Sequence, residues 1–326
     1  MNKWIYIIIT GGLFCVAAVQ NKELLNKPKV ILETNQVPHA GFPSEEPRGI
    51  HLTERTGKKG EEAASAQPKQ KSIINPSGNT LEERLIPPDG YERTEKPLGS
   101  LQGFLRNYAL KPDKSPVLLF DGSRKKKQEV HAAVFSMPLV KGDLQQCADS
   151  AIRIYGEYLW SVGVYDAISF HLTNGFLMDY PSWRSGKRLS VEGNQVRWEE
   201  RAVFDDSREN FLKYLRQVMI YAGTLSLENE SGGIVFDQLQ AGDLFIRGGT
   251  PGHCVMVVDV AEDQEGNKCF LLAQGYMPAQ EFHVLKNPLH KEDPWYYVSE
   301  IKDSLVTPEY VFEKDSLKRW KAFLEK

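Results

Sequence analysis

Three residues in this chain have the types and placing that nucleophilic chemistry needs: Cys147, His253 and Gln274. Cys147 lies in KGDLQQCADSAIRIYGEYLW, His253 in AGDLFIRGGTPGHCVMVVDV and Gln274 in CFLLAQ. A thiol that gives its proton to an imidazole can attack an amide carbonyl, provided a third group holds the ring in place. The pattern around Cys147 puts it in the first turn of a helix, where unpaired amides and the helix dipole favour a thiolate. The alternative for any one cysteine is a small buried hydrophobe. His253 shifts that balance, because it follows Pro251-Gly252 and opens an apolar run, so its ring enters at the start of a strand.

Strand geometry then selects the partners. Alternation puts His253, Val255, Val257 and Asp259 on one face and Cys254, Met256 and Val258 on the other. Cys254 is therefore a poor nucleophile for His253, and Asp259 lies roughly 20 Å along the strand. If Glu262 to Asn267 form a hairpin loop, Gln274 falls opposite Val255 and Tyr276 opposite His253. Gln274 is then a diagonal neighbour on the imidazole face, and a slip of one residue would remove it from that face. The backbone N–H of Cys147, with the side chain of Gln145 or Gln146, could serve an oxyanion. Gln146 has a competing role, since Asp143 and Gln146 make a capping-box-like pattern. Trp183, Arg184 and Trp198 are weaker candidates for a cleft lining, as is Gln280 after the last strand. His171 reads as a satisfied core or surface histidine.

These residues need elements to position them. Leu144, Ala148, Ala151, Ile152, Tyr155, Tyr158 and Leu159 follow helical spacing, which is the clearest helix in the chain. A second helix is expected over 208–222, bounded by Ser207 and Gly223. Strands are expected at 116–120, 130–136, 167–172, 243–247, 253–260 and 268–274, and a last short helix near 307–325. Asp121-Gly122 reads as a hairpin tip, and the basic run Arg124 to Lys127 as a solvated loop. Helices before and between antiparallel strands give an α+β class.

The chain has 326 residues, 41% hydrophobic and 25% charged, with a formal charge of -3, which offers no electrostatic case for nucleic acid. Lys3 followed by an apolar run to Val19 fits a signal peptide over residues 1–19, with Cys15 as a lipoprotein alternative. Residues 20–80 read as a flexible linker, since 34–80 are rich in Pro, Gly, Ser, Glu and Lys. The expected folded domain is 81–326. After cleavage Cys147, Cys254 and Cys269 remain, an odd number that leaves at least one thiol unpaired within the chain. Neither CxxC nor HExxH occurs, so no metal and no cofactor is expected.

The order of a Cys on a helix N-terminus, a His at a strand start and a polar residue on the next strand resembles papain-like peptidases. More narrowly, GDLFI, GHCVMVVDV and LLAQ resemble the NlpC and CHAP families, which cleave peptide bonds in bacterial cell walls. Residues Gln145 to Gln280, with QQCADSAIRIYGEYL, HLTNGF and AQGYMPAQ, also look like a bacterial secreted family known only as a domain of unknown function. The first resemblance implies a papain-like (NlpC/CHAP-like) core, an N-terminal helix carrying the Cys on an antiparallel sheet, with 163–235 as a large insertion. The function it implies is an exported, periplasmic or envelope-associated Cys-dependent amidase. Its substrate would be cell-wall peptide or glycan-linked material, and its triad Cys147, His253 and Gln274. The other reading is a catalytically silent envelope domain that binds glycan or peptide in the same cleft.

Overall fold

The structure, a computed structural model, describes residues 72–324. The expected signal peptide and nearly all of the expected linker lie outside the described residues. In chain order the elements begin with α1 (Leu81–Arg84), β1 (Glu92–Arg93), α2 (Leu101–Arg106), β2 (His131–Val134) and α3 (Cys147–Ser161). They continue with β3 (Ser169–His171), β4 (Leu177–Asp179), α4 (Tyr180–Arg184), β5 (Lys187–Glu192), β6 (Gln195–Glu200), α5 (Arg208–Tyr221) and α6 (Thr224–Asn229). The remainder is strand: β7 (Ser231–Gly233), β8 (Leu244–Arg247), β9 (His253–Glu262), β10 (Lys268–Gln274), β11 (His283–Leu285), β12 (Tyr296–Tyr297), β13 (Ser304–Val306), β14 (Val311–Glu313) and β15 (Leu317–Trp320).

This architecture corrects the expected one. The described residues are dominated by a nine-stranded antiparallel sheet in the order β2-β11-β10-β9-β8-β15-β7, with β1 added to β9 and β12 to β10. Of the six α-helices among the described residues only α3 and α5 reach seven residues, and α3 is the third of them rather than a leading one. An α+β papain-like core led by a Cys-bearing helix is therefore not the fold. The expected helix near 307–325 is also absent. β14 pairs there with β13, while β15 inserts between β8 and β7. Val311 to Trp320 has a mixed pattern whose strand state is decided by these partners, not by local propensity.

The sheet separates two cores. On one face α2 and α3 pack against Cys254, Met256, Val258, Leu271 and Ala273, and α5 packs on α3. On the other, Phe245, Val255, Val257, Phe270 and Leu272 meet Leu305 and Phe312 of the β13–β14 hairpin. The β9–β10 ladder pairs Leu272 with Val257 and Ala273 with Met256, the register expected from the hairpin, but Leu271 pairs with Asp259 because a bulge intervenes. That extra residue overturns the expected placing of Asp259 on the His253 face, since a bulge inverts the alternation beyond it. Asp259 instead receives the Arg106 guanidinium at 2.7 Å and that of Arg93 at 2.6 Å, near the α2 side of the sheet. Asp243 is likewise structural, buried and paired with Arg319 at 2.7 Å.

The segment 163–235 supplies the hairpins β3–β4 and β5–β6 together with α4, α5 and α6. It docks on α3 through Trp160 stacked on Phe211, with ring centroids 5.6 Å apart. Its helix α5 starts on the Ser207 side chain, which accepts the Asn210 N–H. No described helix is long and apolar enough to cross a membrane.

Candidate active site

The N-terminus of α3 is built by short-range polar contacts. Gln146 is its cap residue, and its N–H donates to Oδ2 of Asp149 at 3.0 Å. Asp143 is not the cap. Its Oδ1 accepts from the Gln146 amide at 3.2 Å and from the Ala279 N–H at 2.6 Å, tying the start of α3 to the loop after β10. Gly275, directly after Gln274, lets α3 come close: a Cβ there would sit 2.5 Å from Ser150 Oγ and 2.8 Å from the Gln146 carbonyl oxygen. The helix that carries the thiol is thus seated against the end of the strand that carries Gln274.

His253 begins β9 and is buried, as is Gln274 at the end of β10. His253 Nε2 and Gln274 Oε1 are 2.7 Å apart. The direction of that bond follows from the next link. The Gln274 Nε2 donates to Oε2 of Glu309 at 2.7 Å, and a carboxylate can only accept. Gln274 must therefore turn its carbonyl oxygen toward the ring, so His253 carries its proton on Nε2 and presents a bare Nδ1. Glu309 is held in turn by the Lys125 ammonium, both groups being buried. Tyr276 packs edge-on to the imidazole with centroids 4.8 Å apart, and Tyr310 lies at 5.1 Å.

Cys147 is half-buried and free, and Cys254 and Cys269 are free and buried. Burial pushes the Cys147 thiol up to about 11, while the backbone amides of Ala148, Cys254 and Cys147 pull against that rise. The expected thiolate-favouring effect of the helix N-terminus is present but loses to desolvation. The amide of Cys254 places the sulfur beside the residue that follows His253. The ring's own hydrogen bond goes to Gln274, and none goes to Cys147. Burial also lowers His253 to about 4. At neutral pH the pair is a neutral thiol and a neutral imidazole.

Cys147 and His253 line one cavity of about 580 Å³, with Gln146, Asp149, Tyr276 and Tyr310. Met219 to Thr224 and Gly249 to Gly252 complete its walls, so 163–235 contributes one side of the cleft. Among the weaker candidates, only Gln146 reaches this cavity. Trp183 is buried in the α4–α5 packing, where its indole N–H donates to Asn210, because its large apolar ring finds a partner there. Gln280 is buried outside the cavity lining, its amide bonded to the Pro278 carbonyl and its chain bridged to Leu119. Arg184 lies over the rings of Tyr165 and Phe204, Trp198 meets Phe176, and His171 pairs with Glu230. No group of His, Cys, Asp and Glu among the described residues is arranged to hold a metal ion.

Two members of the site escaped the sequence reading. Lys125 sits in a run that reads as a solvated loop, yet it is buried against Glu309. Glu309 sits in a stretch that reads as helix, and nothing local to Thr307-Pro308-Glu309-Tyr310 points to His253. The one usable signal was an isolated lysine-glutamate complementarity across the chain, which spacing cannot pair.

Residues 81–319 match the model of a family described as a domain of unknown function (4846), which spans most of the chain. No curated protein and no solved structure matches it.

Proposed function

The chain belongs to the domain-of-unknown-function family 4846, and we propose that it is a cysteine-dependent amide hydrolase with Cys147 as nucleophile and His253 as base. The observation that carries this reading is the relay Lys125–Glu309–Gln274–His253, which fixes the imidazole tautomer with Nδ1 unprotonated in the cavity that Cys147 lines. A structural histidine needs no such orienting chain. The order of thiol, imidazole and amide along the sequence, which resembles that of papain-like amidases, supports the same chemistry without requiring their fold.

In this scheme the Cys147 sulfur attacks the amide carbonyl as its proton passes to Nδ1 of His253. The resulting oxyanion is met by the backbone N–H of Cys147. The imidazolium then gives its proton to the leaving amine, and a water activated by the neutral ring releases the acyl group from the thioester. Because thiol and imidazole both rest neutral, proton transfer accompanies attack and no resting thiolate is needed. The proposed substrates are peptide bonds of the cell wall or related envelope material, with the protein exported to meet them.

The test is hydrolysis of isolated cell-wall peptides, with new amine ends followed by mass spectrometry. Wild type should release fragments, Cys147→Ala should release none, and His253→Ala should be slower by roughly 10²–10⁴-fold. Turnover that survives Cys147→Ala would overturn the proposal. The raised Cys147 thiol favours a second reading, a silent cleft that only binds peptide or glycan. That reading requires binding by Cys147→Ala equal to wild type and no turnover by either.

A further inference from the structure

We propose that this cleft selects substrates carrying a primary ammonium group next to the scissile amide, and that Asp149 is the residue that receives it. The inference rests on Cys147 being the nucleophile, and it adds a substrate class to that reading.

Asp149 lines the cavity one helical turn from the thiol and is 6% exposed. Its Oδ2 is used by the Gln146 N–H at 3.0 Å, whereas its Oδ1 is buried with no hydrogen-bond partner. A buried carboxylate oxygen left unpaired is costly, and a site that supplies its partner only when occupied is a common reason for keeping one. The charged side chains lining the cavity are Asp143 and Asp149, and neither lysine nor arginine lines it. Of the buried cations, Arg153, one turn along α3, is committed to Glu157, Gln145 and the Pro138 carbonyl, and Lys125 to Glu309. Asp143 is exposed and takes the Gln146 amide and the Ala279 N–H on Oδ1, so water already serves its carboxylate, and Asp149 is the buried acidic group that gains most from a partner. A free α-amine or the side-chain amine of a diamino acid has the required chemistry. A carboxylate at the same place would face Asp149 unscreened.

Burial raises the Asp149 carboxyl to about 7, so the empty cleft holds it partly protonated and an arriving ammonium ionises it.

The test uses small thiol reagents of opposite charge on the whole protein. The rates at which Cys147 reacts with 2-aminoethyl methanethiosulfonate, a cation, and 2-sulfonatoethyl methanethiosulfonate, an anion, are each divided by the reagent's rate with a small free thiol. Wild type should favour the cation by about fivefold, the factor that about 1 kcal/mol of ion pairing supplies, and Asp149→Asn should bring the ratio toward one. Asparagine keeps an acceptor for the Gln146 N–H, and a thermal melt checks its folding. Should that variant not fold, protection of wild-type Cys147 from neutral methyl methanethiosulfonate decides. Stronger protection by propylamine than by propionate supports the proposal, and equal protection overturns it. A wild-type ratio near one, or a ratio unchanged in folded Asp149→Asn, also overturns it. Cation preference without amide turnover leaves this inference standing and removes the hydrolase reading. Turnover without cation preference does the reverse.

Discussion

At the residue scale the site is governed by desolvation. The helix N-terminus offers amides to the Cys147 sulfur, yet burial outweighs them and pushes the thiol up to about 11. The same burial lowers His253 to about 4. What the neighbours supply is orientation: Glu309 turns the Gln274 amide, and the amide sets the imidazole tautomer. Asp149 shows the same physics with a measurable consequence for stability. Its folded-state value is raised to about 7 from the ordinary 3.8, so the folded chain holds a proton that the unfolded chain has already released. That contribution is fully present below pH 3.8 and is lost as the pH rises through about 7. Urea midpoints should therefore show wild type losing stability relative to Asp149→Asn between about pH 4 and pH 7, then levelling. A difference independent of pH across that window would contradict the assignment.

At the element scale, the parts built by local rules were legible and the parts built by distant partners were not. Helix α3 follows from the apolar spacing of Leu144 to Leu159, and α5 from its Ser207 cap. The β9–β10 hairpin was legible in its register at Leu272–Val257 and Ala273–Met256, the stretch that brings Gln274 beside His253. The bulge beyond it carries no signal of its own, because Val258-Asp259 alternates as any strand does, and alternation alone puts Asp259 on the wrong face. The stretch 307–325, which holds β14 and β15, reads as helix from its sequence, and Glu309 is hidden with it. Its hold on the site gives a direct prediction. Lys125→Ala leaves the buried Glu309 carboxylate uncompensated, which should lower stability by about 3–5 kcal/mol in chemical denaturation. It should also weaken turnover, since Gln274 loses a firm partner. A change within ~0.5 kcal/mol, the range of an ordinary surface substitution, would mean that the pair does not brace the site.

At the scale of the whole molecule, the candidate site is assembled from segments that share no local signal. The start of α3, the 219–224 connection, the turn before β9, the segment after β10 and the β13–β14 turn line one cleft, and the Lys125 loop and the end of β10 meet behind it at Glu309. Cys147, His253 and Gln274 could be named from residue type and expected elements, whereas the fold around them could not, because the long sheet and its two cores depend on pairings across the chain. The central claim is that the thiol at α3 and the imidazole at β9 work together. Trapping the covalent intermediate tests it most directly. The protein is mixed with a p-nitrophenyl ester of an N-acyl amino acid, quenched in acid, digested and weighed by mass spectrometry. The account predicts the acyl mass on the peptide containing Cys147 in wild type, and its loss or strong slowing in His253→Ala. No acyl adduct on Cys147, or equal acylation rates in wild type and His253→Ala, would contradict it.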